Sequence, residues 1–422
     1  MSRPKRLLLI AYHFPPLAGS SGIQRTLRFV QHLPKFGWEP IVLTVHPRAY
    51  ELTRDDLNGE VSTGTIVRRA FALDAARHLS VKGRYVAGAA RPDRWMSWRF
   101  DGVRQGMKLI RDLEPQVIWS TYPIATAHVI GADLHAKTGL PWIADFRDPM
   151  AQDGYPADPA TWRQYADIER TALLNAARSV FTTPGAAREY ARRYPDATDR
   201  IAVIENGYDE ETFRAAEVAL PLRAPLEPGC LSLLHSGIVY PSERDPTHLM
   251  RALQILALDG RLAPGRLKIL FRASSHDGLL AEMAAQHGVA HFIELMPPIG
   301  YRDALTEMLR ADALLVLQAS NCNDQIPAKV YEYLRARRPI VALTDPSGDT
   351  GQLLLRSGIS SMARLDDAGA IAELLASMLG SEGAFKGLSA TPESVLAASR
   401  AMRTSELVGL LDSVRDETQM RG

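Results

Sequence analysis

The sequence predicts two doubly wound α/β domains of about 200 residues each. Three observations carry that prediction. Short apolar runs are continuous rather than alternating, helix-length amphipathic segments separate most of them, and the whole pattern restarts at residue 231. Continuous apolar strands are covered on both faces, which means parallel strands joined by crossover helices. In the first half the spacing predicts strands at 7–12, 40–45, 65–69, 117–120, 141–145, 179–182 and 201–204. Helices are predicted at 23–36, 98–113, 125–137, 160–177 and 186–193. After the restart, strands are predicted at 231–236, 267–271, 291–293, 313–317, 339–343 and 360–365, with helices at 246–258, 279–288, 301–309, 327–337 and 350–356. Residues 208–229 hold Pro221, Pro225 and Pro228 without an apolar period, which reads as an interdomain connection. Two such domains joined by a hinge predict a cleft between the carboxyl ends of both sheets, so ligands are expected in loops that follow strands.

Composition narrows the function classes. Of 422 residues, 46% are hydrophobic and 23% charged, the balance of a soluble globular protein. Lys plus Arg is 49 and Asp plus Glu is 48, a net charge of +1, which argues against a polyelectrolyte that coats nucleic acid. Two cysteines, Cys230 and Cys322, are too few for a disulfide framework or a cysteine zinc site, and a reducing, cytoplasmic setting is expected. Arg3, Lys5 and Arg6 before the apolar stretch 7–12 imitate a signal peptide. That stretch is short for one and runs straight into His13-Phe14-Pro15-Pro16, so it reads as a first buried strand. No stretch reaches the ~18 apolar residues of a membrane span, and any membrane association is expected to be peripheral.

Four loops carry residues suited to chemistry. The first runs from His13 to Gly22 and opens a helix at Ile23. Gly19 and Gly22 permit close backbone approach, and helix-start N–H groups attract anions; equally, the glycines only shape a tight turn. The pattern is not G-x-G-x-x-G, and no acidic residue closes the strand at 42–45, so a nicotinamide dinucleotide is disfavoured. The second is Asp145-Phe146-Arg147-Asp148-Pro149, two carboxylates flanking an arginine at a strand's carboxyl end. They either bind polar substrate groups or pair internally to stiffen the loop. His128, at the start of the helix after 117–120, is a further candidate, against which stands the usual structural role of a lone histidine.

The third loop follows Leu234-His235-Ser236-Gly237 and contains Arg244, just before a helix. A guanidinium with that helix's N-terminus suits a diphosphate; a solvated arginine is the alternative. The fourth is Asn323–Leu334, in which Pro327 suits a first helical position. Lys329 then falls in the first turn, where a cation is unfavourable unless an anion faces it. Asp324 and Glu332 bracket the turn, so carboxylates for sugar hydroxyls stand beside a lysine and a helix dipole for phosphate. A surface helix with Lys329 and Glu332 paired at i,i+3 is the other reading.

Together these segments resemble family 4 glycosyltransferases of the GT-B fold, in particular the bacterial group beginning with a strand, His-Phe-Pro-Pro and a glycine-containing loop. The resemblance takes in nearly the whole chain, including Asp145–Pro149, Glu205-Asn206-Gly207-Tyr208-Asp209, and the segment from Pro327 to Leu334 with Arg338-Pro339-Ile340 after it. It implies two Rossmann-like domains facing each other across a cleft. The expected domains are an acceptor domain over 1–210, a nucleotide-sugar domain over 211–390, and a closing helix in 391–422. That helix would return to the first domain through Leu407, Leu410 and Leu411. The family's donor segment carries two glutamates separated by seven residues; here the second is Glu332 and the first is Asp324, shorter by about one methylene. The family's small glycine before the proline is Arg338 here.

The resemblance implies retaining transfer of a sugar from a nucleoside-diphosphate sugar to a glycan or lipid-linked acceptor, in surface polysaccharide or cell-envelope synthesis. No cofactor is expected beyond that co-substrate, and no metal, since no Asp-x-Asp site is evident. Gly19, Gly22, Gly237, Arg244, Lys329 and Glu332 are the expected donor-binding positions. His128, Arg244, Lys329 and Asp324 are the expected catalytic ones, His128 as a contact to sugar or acceptor rather than a base. His13, Asp145, Arg147 and Asp148 are the expected acceptor-side loop. Residues 68–104 carry nine basic and three acidic side chains with Trp95, Trp98 and Phe100 interleaved. This stretch either rests on an anionic membrane at the inner face or is a solvated flap with its tryptophans packed inward. Two other functions share the architecture: a non-catalytic module that binds a sugar nucleotide or partner transferase, and a sugar-nucleotide epimerase, for which no acid/base pair is evident.

Overall fold

The computed structural model describes residues 4–20, 22–55, 57–80, 87–218, 225–380 and 387–421. Two compact units divide the chain: Met1–Glu205 with Arg400–Gly422, and Asn206–Ser399. The first unit holds β1 (Lys5–Ala11), β2 (Trp38–Val45), β3 (Ile66–Ala70), β4 (Val117–Thr121), β5 (Trp142–Arg147), β6 (Arg178–Phe181) and β7 (Ile201–Val203). They form one sheet in the order β3-β2-β1-β4-β5-β6-β7, and every neighbouring pair is parallel. In register, Leu8 of β1 lies beside Ile41 on one side and Ile118 on the other. Leu7, Leu8, Leu9 and Ile10 are all completely buried, as both-face coverage demands. The winding reverses between β1 and β4, the switch point at which loops from opposite faces of the sheet diverge.

The second unit holds β8 (Leu231–Ser236), β9 (Leu267–Arg272), β10 (Ile293–Met296), β11 (Ala313–Leu317), β12 (Ile340–Leu343) and β13 (Met362–Ala363). Their order is β10-β9-β8-β11-β12-β13, again parallel throughout, with its switch point between β8 and β11.

Several elements differ from expectation for local reasons. The helix expected over 23–36 is α-helical only through Ile23–His32 and tightens to a 3₁₀ turn over Leu33–Phe36, where Pro34 lacks the N–H a further α turn needs. The strand expected at 291–293 is a 3₁₀ turn, Ala290–Phe292, that buries Phe292, and the strand itself begins at Ile293. The strand expected over 360–365 shrinks to two residues. Ser360 and Ser361 there donate to the Gly387 carbonyl instead of extending the ladder. Residues 208–229 are not merely a connection. They contain the helix Glu210–Val218, which buries Phe213 and Ala216, while Arg335 donates to both Glu210 and Glu217 at 2.6–2.9 Å. Pro221 lies outside the described residues. A helix not foreseen, Ala368–Leu379, is capped by Asp367, which accepts from the Ala370 N–H at 2.9 Å.

The closing segment is two helices rather than one. Pro392–Ala397 belongs with the second unit, and Arg400–Arg421 with the first. Leu407 and Leu411 are fully buried in the first unit's core, Leu410 packs against it, and Lys5 pairs with Asp412 at 2.8 Å.

Candidate active site

In the first unit, β1 feeds the loop that ends at Gly22. Gly19 has φ +78°, a left-handed conformation that glycine adopts without strain. Gly22 meets a different constraint, since its φ of −59° suits any residue. A Cβ there would stand 2.2 Å from His13 Nδ1 and 3.1 Å from Arg147 Nη1. Arg147, at the end of β5, donates from that Nη1 to the Gly22 carbonyl at 3.0 Å. The structure therefore brings His13, Gly22 and Arg147 together, with Asp148 exposed beside them. Burial, and then the Arg147 charge, lower the His13 imidazole to a pKa of about 4.

Two expected site residues point elsewhere. Asp145 is 1% exposed and faces the interior, receiving Arg25 Nε at 3.0 Å, Arg25 Nη2 at 2.9 Å and the Thr121 hydroxyl at 2.8 Å. It pairs internally rather than binding an acceptor, because a buried carboxylate is stable only when so paired. His128 is also enclosed, with no exposed surface. Its Nδ1 lies 2.8 Å from the Ser120 hydroxyl, and Tyr122 and Phe146 flank the ring. Burial lowers its pKa to about 4, so the imidazole is a neutral core group and not a surface contact for sugar or acceptor.

The basic stretch is likewise tied down. Arg94 pairs with Asp74 and Glu51, Arg99 with Asp133, Arg104 with Asp101, and Arg91 with Asp158. Trp98 is fully buried, and Trp95 packs at a tilt against Tyr12 while donating to the Ala49 carbonyl. The tryptophans pack inward, and Phe100, 76% exposed, is the aromatic of the three that faces outward. Lys82 and Arg84 lie outside the described residues. Among the described residues no helix is long and apolar enough to cross a membrane.

The second unit gathers its polar residues at the β8/β11 switch point. β8 ends in His235 and Ser236, and Gly237 turns the chain with φ +110°. The helix that follows the β11 loop is Lys329–Ala336, with Ala328 as its N-cap. Pro327 thus lies just before the cap rather than at the first helical position. The Pro327 carbonyl accepts from the Val330 N–H at 2.9 Å, so a tight turn leads into the helix. Lys329 is the first helical residue, and its Nζ lies 2.9 Å from His235 Nε2. Burial, and then Arg244, push the Lys329 pKa well below that of an ordinary lysine, while Glu332 opposes the shift.

Arg244 donates to the Ile238 carbonyl at 2.6 Å and lies over the Tyr240 ring. Glu332, one turn along the helix, accepts from the Tyr301 hydroxyl at 2.7 Å. Tyr333 Oη accepts from the Ser236 N–H, tying this helix to the β8 end. The loop that carries exposed Asp324 is fixed from below by Gln318, whose amide donates to the Cys322 and Gln325 carbonyls at 2.6 and 2.9 Å. Arg338, where the family has a small glycine, donates to the Leu309 carbonyl at 2.9 Å, near the end of the helix Tyr301–Arg310.

The structure therefore assembles Gly237, Arg244, Lys329 and Glu332, with Asp324 on the adjoining loop. Sequence reasoning missed His235, Tyr301 and Gln318. His235 left one signal, a titratable residue inside a strand otherwise made of leucine and serine. Among the described residues no cluster of three or more His, Cys, Asp or Glu is arranged to hold a metal ion.

Residues 21–207 match the model of the glycosyl transferase 4-like domain. A D-inositol 3-phosphate glycosyltransferase of Streptomyces scabiei is 29% identical over 159 residues, 36% of this chain and 35% of that relative. The chain thus spans about a third of the length of the curated relative it matches. Among solved structures, Anabaena HepE in complex with UDP-glucose superposes with a TM-score of 0.62 at 11% identity, over 97% of this chain and 99% of that one. A UDP-N-acetylglucosamine 2-epimerase does so at 0.55 and 12%, over 97% and 95%. At such identities these neighbours show the fold alone. With both units wound as in these neighbours, the chain has the GT-B fold, and residues 21–207 of its first unit are similar to the glycosyl transferase 4-like domain.

Proposed function

We propose that the chain is a retaining, metal-independent glycosyltransferase that moves a sugar from a nucleoside-diphosphate sugar to a glycan or lipid-linked acceptor. Its setting is cytoplasmic, in the synthesis of surface polysaccharide or cell envelope, at the inner membrane face where the acceptor is lipid-linked. The observation that carries this reading is a pair of cations at the β8/β11 switch point that lean on neutral acceptors, Lys329 on His235 Nε2 and Arg244 on the Ile238 carbonyl. Neither partner is a carboxylate, so an anion that binds here has no paired acid to displace from either residue. Breaking a glycosyl–phosphate bond leaves an oxocarbenium-like sugar and a more negative diphosphate. Lys329 and Arg244 lower the barrier insofar as their hold strengthens while that charge grows. They also supply the positive charge a metal would otherwise bring. Glu332 is assigned to the nucleotide ribose and Asp324 to the donor sugar; retention is proposed from the resemblance to family 4 glycosyltransferases.

Asp324 favours a second reading, a binding module without turnover, because its shorter carboxylate stands on an exposed loop. The test begins with a thermal-shift screen over nucleoside diphosphates, since a ligand present at 100 times its Kd stabilises the fold by about 2.7 kcal/mol. With the matching donor sugar, Asp324→Ala and Glu332→Ala are each expected to lower transfer at least about tenfold, the loss of a single hydrogen bond to a charged group. Unchanged transfer in either variant refutes the site assignment. A wild type that shifts with nucleotide but never transfers establishes the binding module, and one that converts the donor sugar without acceptor establishes an epimerase.

A further inference from the structure

Sugar transfer as read above gives His235 no role beyond the contact on which Lys329 rests, and its side chain is completely enclosed at the end of β8. Two contacts fix its state. The Leu315 carbonyl, 3.0 Å from Nδ1, can only accept, so Nδ1 carries a proton. Lys329 Nζ lies 2.9 Å from Nε2, and in a neutral ring protonated at Nδ1 that nitrogen offers its lone pair to a lysine N–H. The neutral imidazole satisfies both contacts, whereas an imidazolium would set an N–H against the lysine. Burial, then Lys329 and Arg244, keep the ring neutral with its pKa well below 6.5, against backbone hydrogen bonds with Leu315 and Ile238 that act the other way. Phe271 packs against the ring at 5.8 Å between centroids. On the Lys329 side stands Gly237, where a Cβ would lie 3.4 Å from Nζ, an ordinary contact distance. The other charged groups that act on the lysine are Arg244 and Glu332.

We propose that His235 is a positioning residue, which holds the Lys329 ammonium at the Gly237 turn so that it is aimed before a diphosphate arrives. The inference rests on the donor reading above. A lysine has a long flexible stem, and freezing it when a ligand binds weakens affinity. Fixing it during folding removes that loss from the binding step. The acceptor that fixes it must be neutral, because a carboxylate in the same place would cancel the charge that the phosphate reads.

The test is calorimetric titration of the full chain with whichever of UDP, GDP and ADP gives the largest thermal shift, and with its parent nucleoside. His235→Asn retains an N–H that can reach the Leu315 carbonyl but removes the acceptor for Lys329; His235→Gln restores an acceptor near the position of Nε2. The expected result is a loss of about 10- to 100-fold in diphosphate affinity for His235→Asn, the scale of a hydrogen bond to a charged group. Nucleoside affinity should be unchanged, and His235→Gln should recover part of the loss. In a Lys329→Ala background, His235→Asn should change affinity less than about twofold, because its effect passes through the lysine. The inference falls if His235→Asn binds the diphosphate like wild type, weakens the nucleoside equally, or keeps its full effect without Lys329. A wild type that binds none of the three diphosphates overturns the donor reading and this inference with it, whereas a wild type that binds while His235→Asn loses nothing overturns the inference alone.

Discussion

The two units place polar side chains at the same topological position and treat their charges in opposite ways. Beside the β1/β4 switch point, Arg25 forks onto Asp145, both at most 3% exposed, and Thr121 completes the carboxylate's shell. Beside the β8/β11 switch point, Lys329 and Arg244 rest on an imidazole nitrogen and a carbonyl. The first arrangement cancels the Arg25 charge inside the fold and locks a strand end. The second rests neither side chain on a carboxylate. A switch point is thus not a binding site by topology alone; the partners of its cations decide.

Breaking one partner in each unit gives the largest expected effect. Asp145→Ala strands a buried guanidinium and should cost about 3–5 kcal/mol of unfolding free energy. Lys329→Ala removes a cation that burial and Arg244 already disfavour, and its stability should stay within about 1 kcal/mol of wild type. It should instead weaken nucleoside-diphosphate binding about 10- to 100-fold. Urea midpoints and calorimetry measure the two. If Asp145→Ala unfolds like wild type while Lys329→Ala is the unstable variant, the contrast between the units is wrong.

The contrast also explains what could be read in advance. Strand cores such as 7–12 and 313–317 were legible because covering both faces of a sheet forces continuous apolar runs, as the complete burial of Leu7–Ile10 illustrates. The helix Glu210–Val218 was not, since its stability comes from Arg335, more than a hundred residues away, and a proline-rich stretch follows it. For the same reason Asp145 read equally well as ligand-facing or internal: its partner Arg25 is 120 residues distant. Lys329 was legible because a cation at a helix start conflicts with the local dipole and demands an explanation. His235 was not, because a histidine's role depends on what meets each ring nitrogen, and both partners come from other elements.

Acid should strike both units in the same direction, which sharpens the comparison by separating cause from effect. His128 is held neutral by burial, with Asp145 acting weakly the other way, and its pKa is about 4. Unfolded, it would titrate near its ordinary value of 6.5. Between those values the unfolded chain binds more protons than the folded one, so stability is intact above pH 6.5 and falls as pH drops toward 4. The loss from His128 alone should approach about 3 kcal/mol. His235 adds a loss of the same sign, reinforced by the lysine and arginine that face it. Replacing His128 by Asn should reduce the pH dependence of stability between 6.5 and 4 by about one proton. Urea unfolding at several pH values reads this directly, and an unchanged slope would mean that His128 is not neutral and enclosed as described.

The smallest effects come from two glycines whose constraints are opposite in kind. Gly22 has room in its backbone angles and none around it, because an added methyl would collide with the His13 ring. Gly237 has ordinary space around it but a left-handed φ of +110° that a side chain strains. Alanine at either position should cost about 1–3 kcal/mol, so the single variants do not tell the two causes apart. Second substitutions do. In a His13→Ala background the space beside Gly22 opens, and Gly22→Ala should become nearly neutral, whereas removing the Lys329 side chain should not rescue Gly237→Ala, since backbone strain has no side-chain partner to delete. Thermal unfolding of the two double-mutant cycles resolves this. A Gly22→Ala cost that persists without His13 would place the strain in the first unit's loop backbone, and the close approach of His13, Gly22 and Arg147 would no longer account for the glycine.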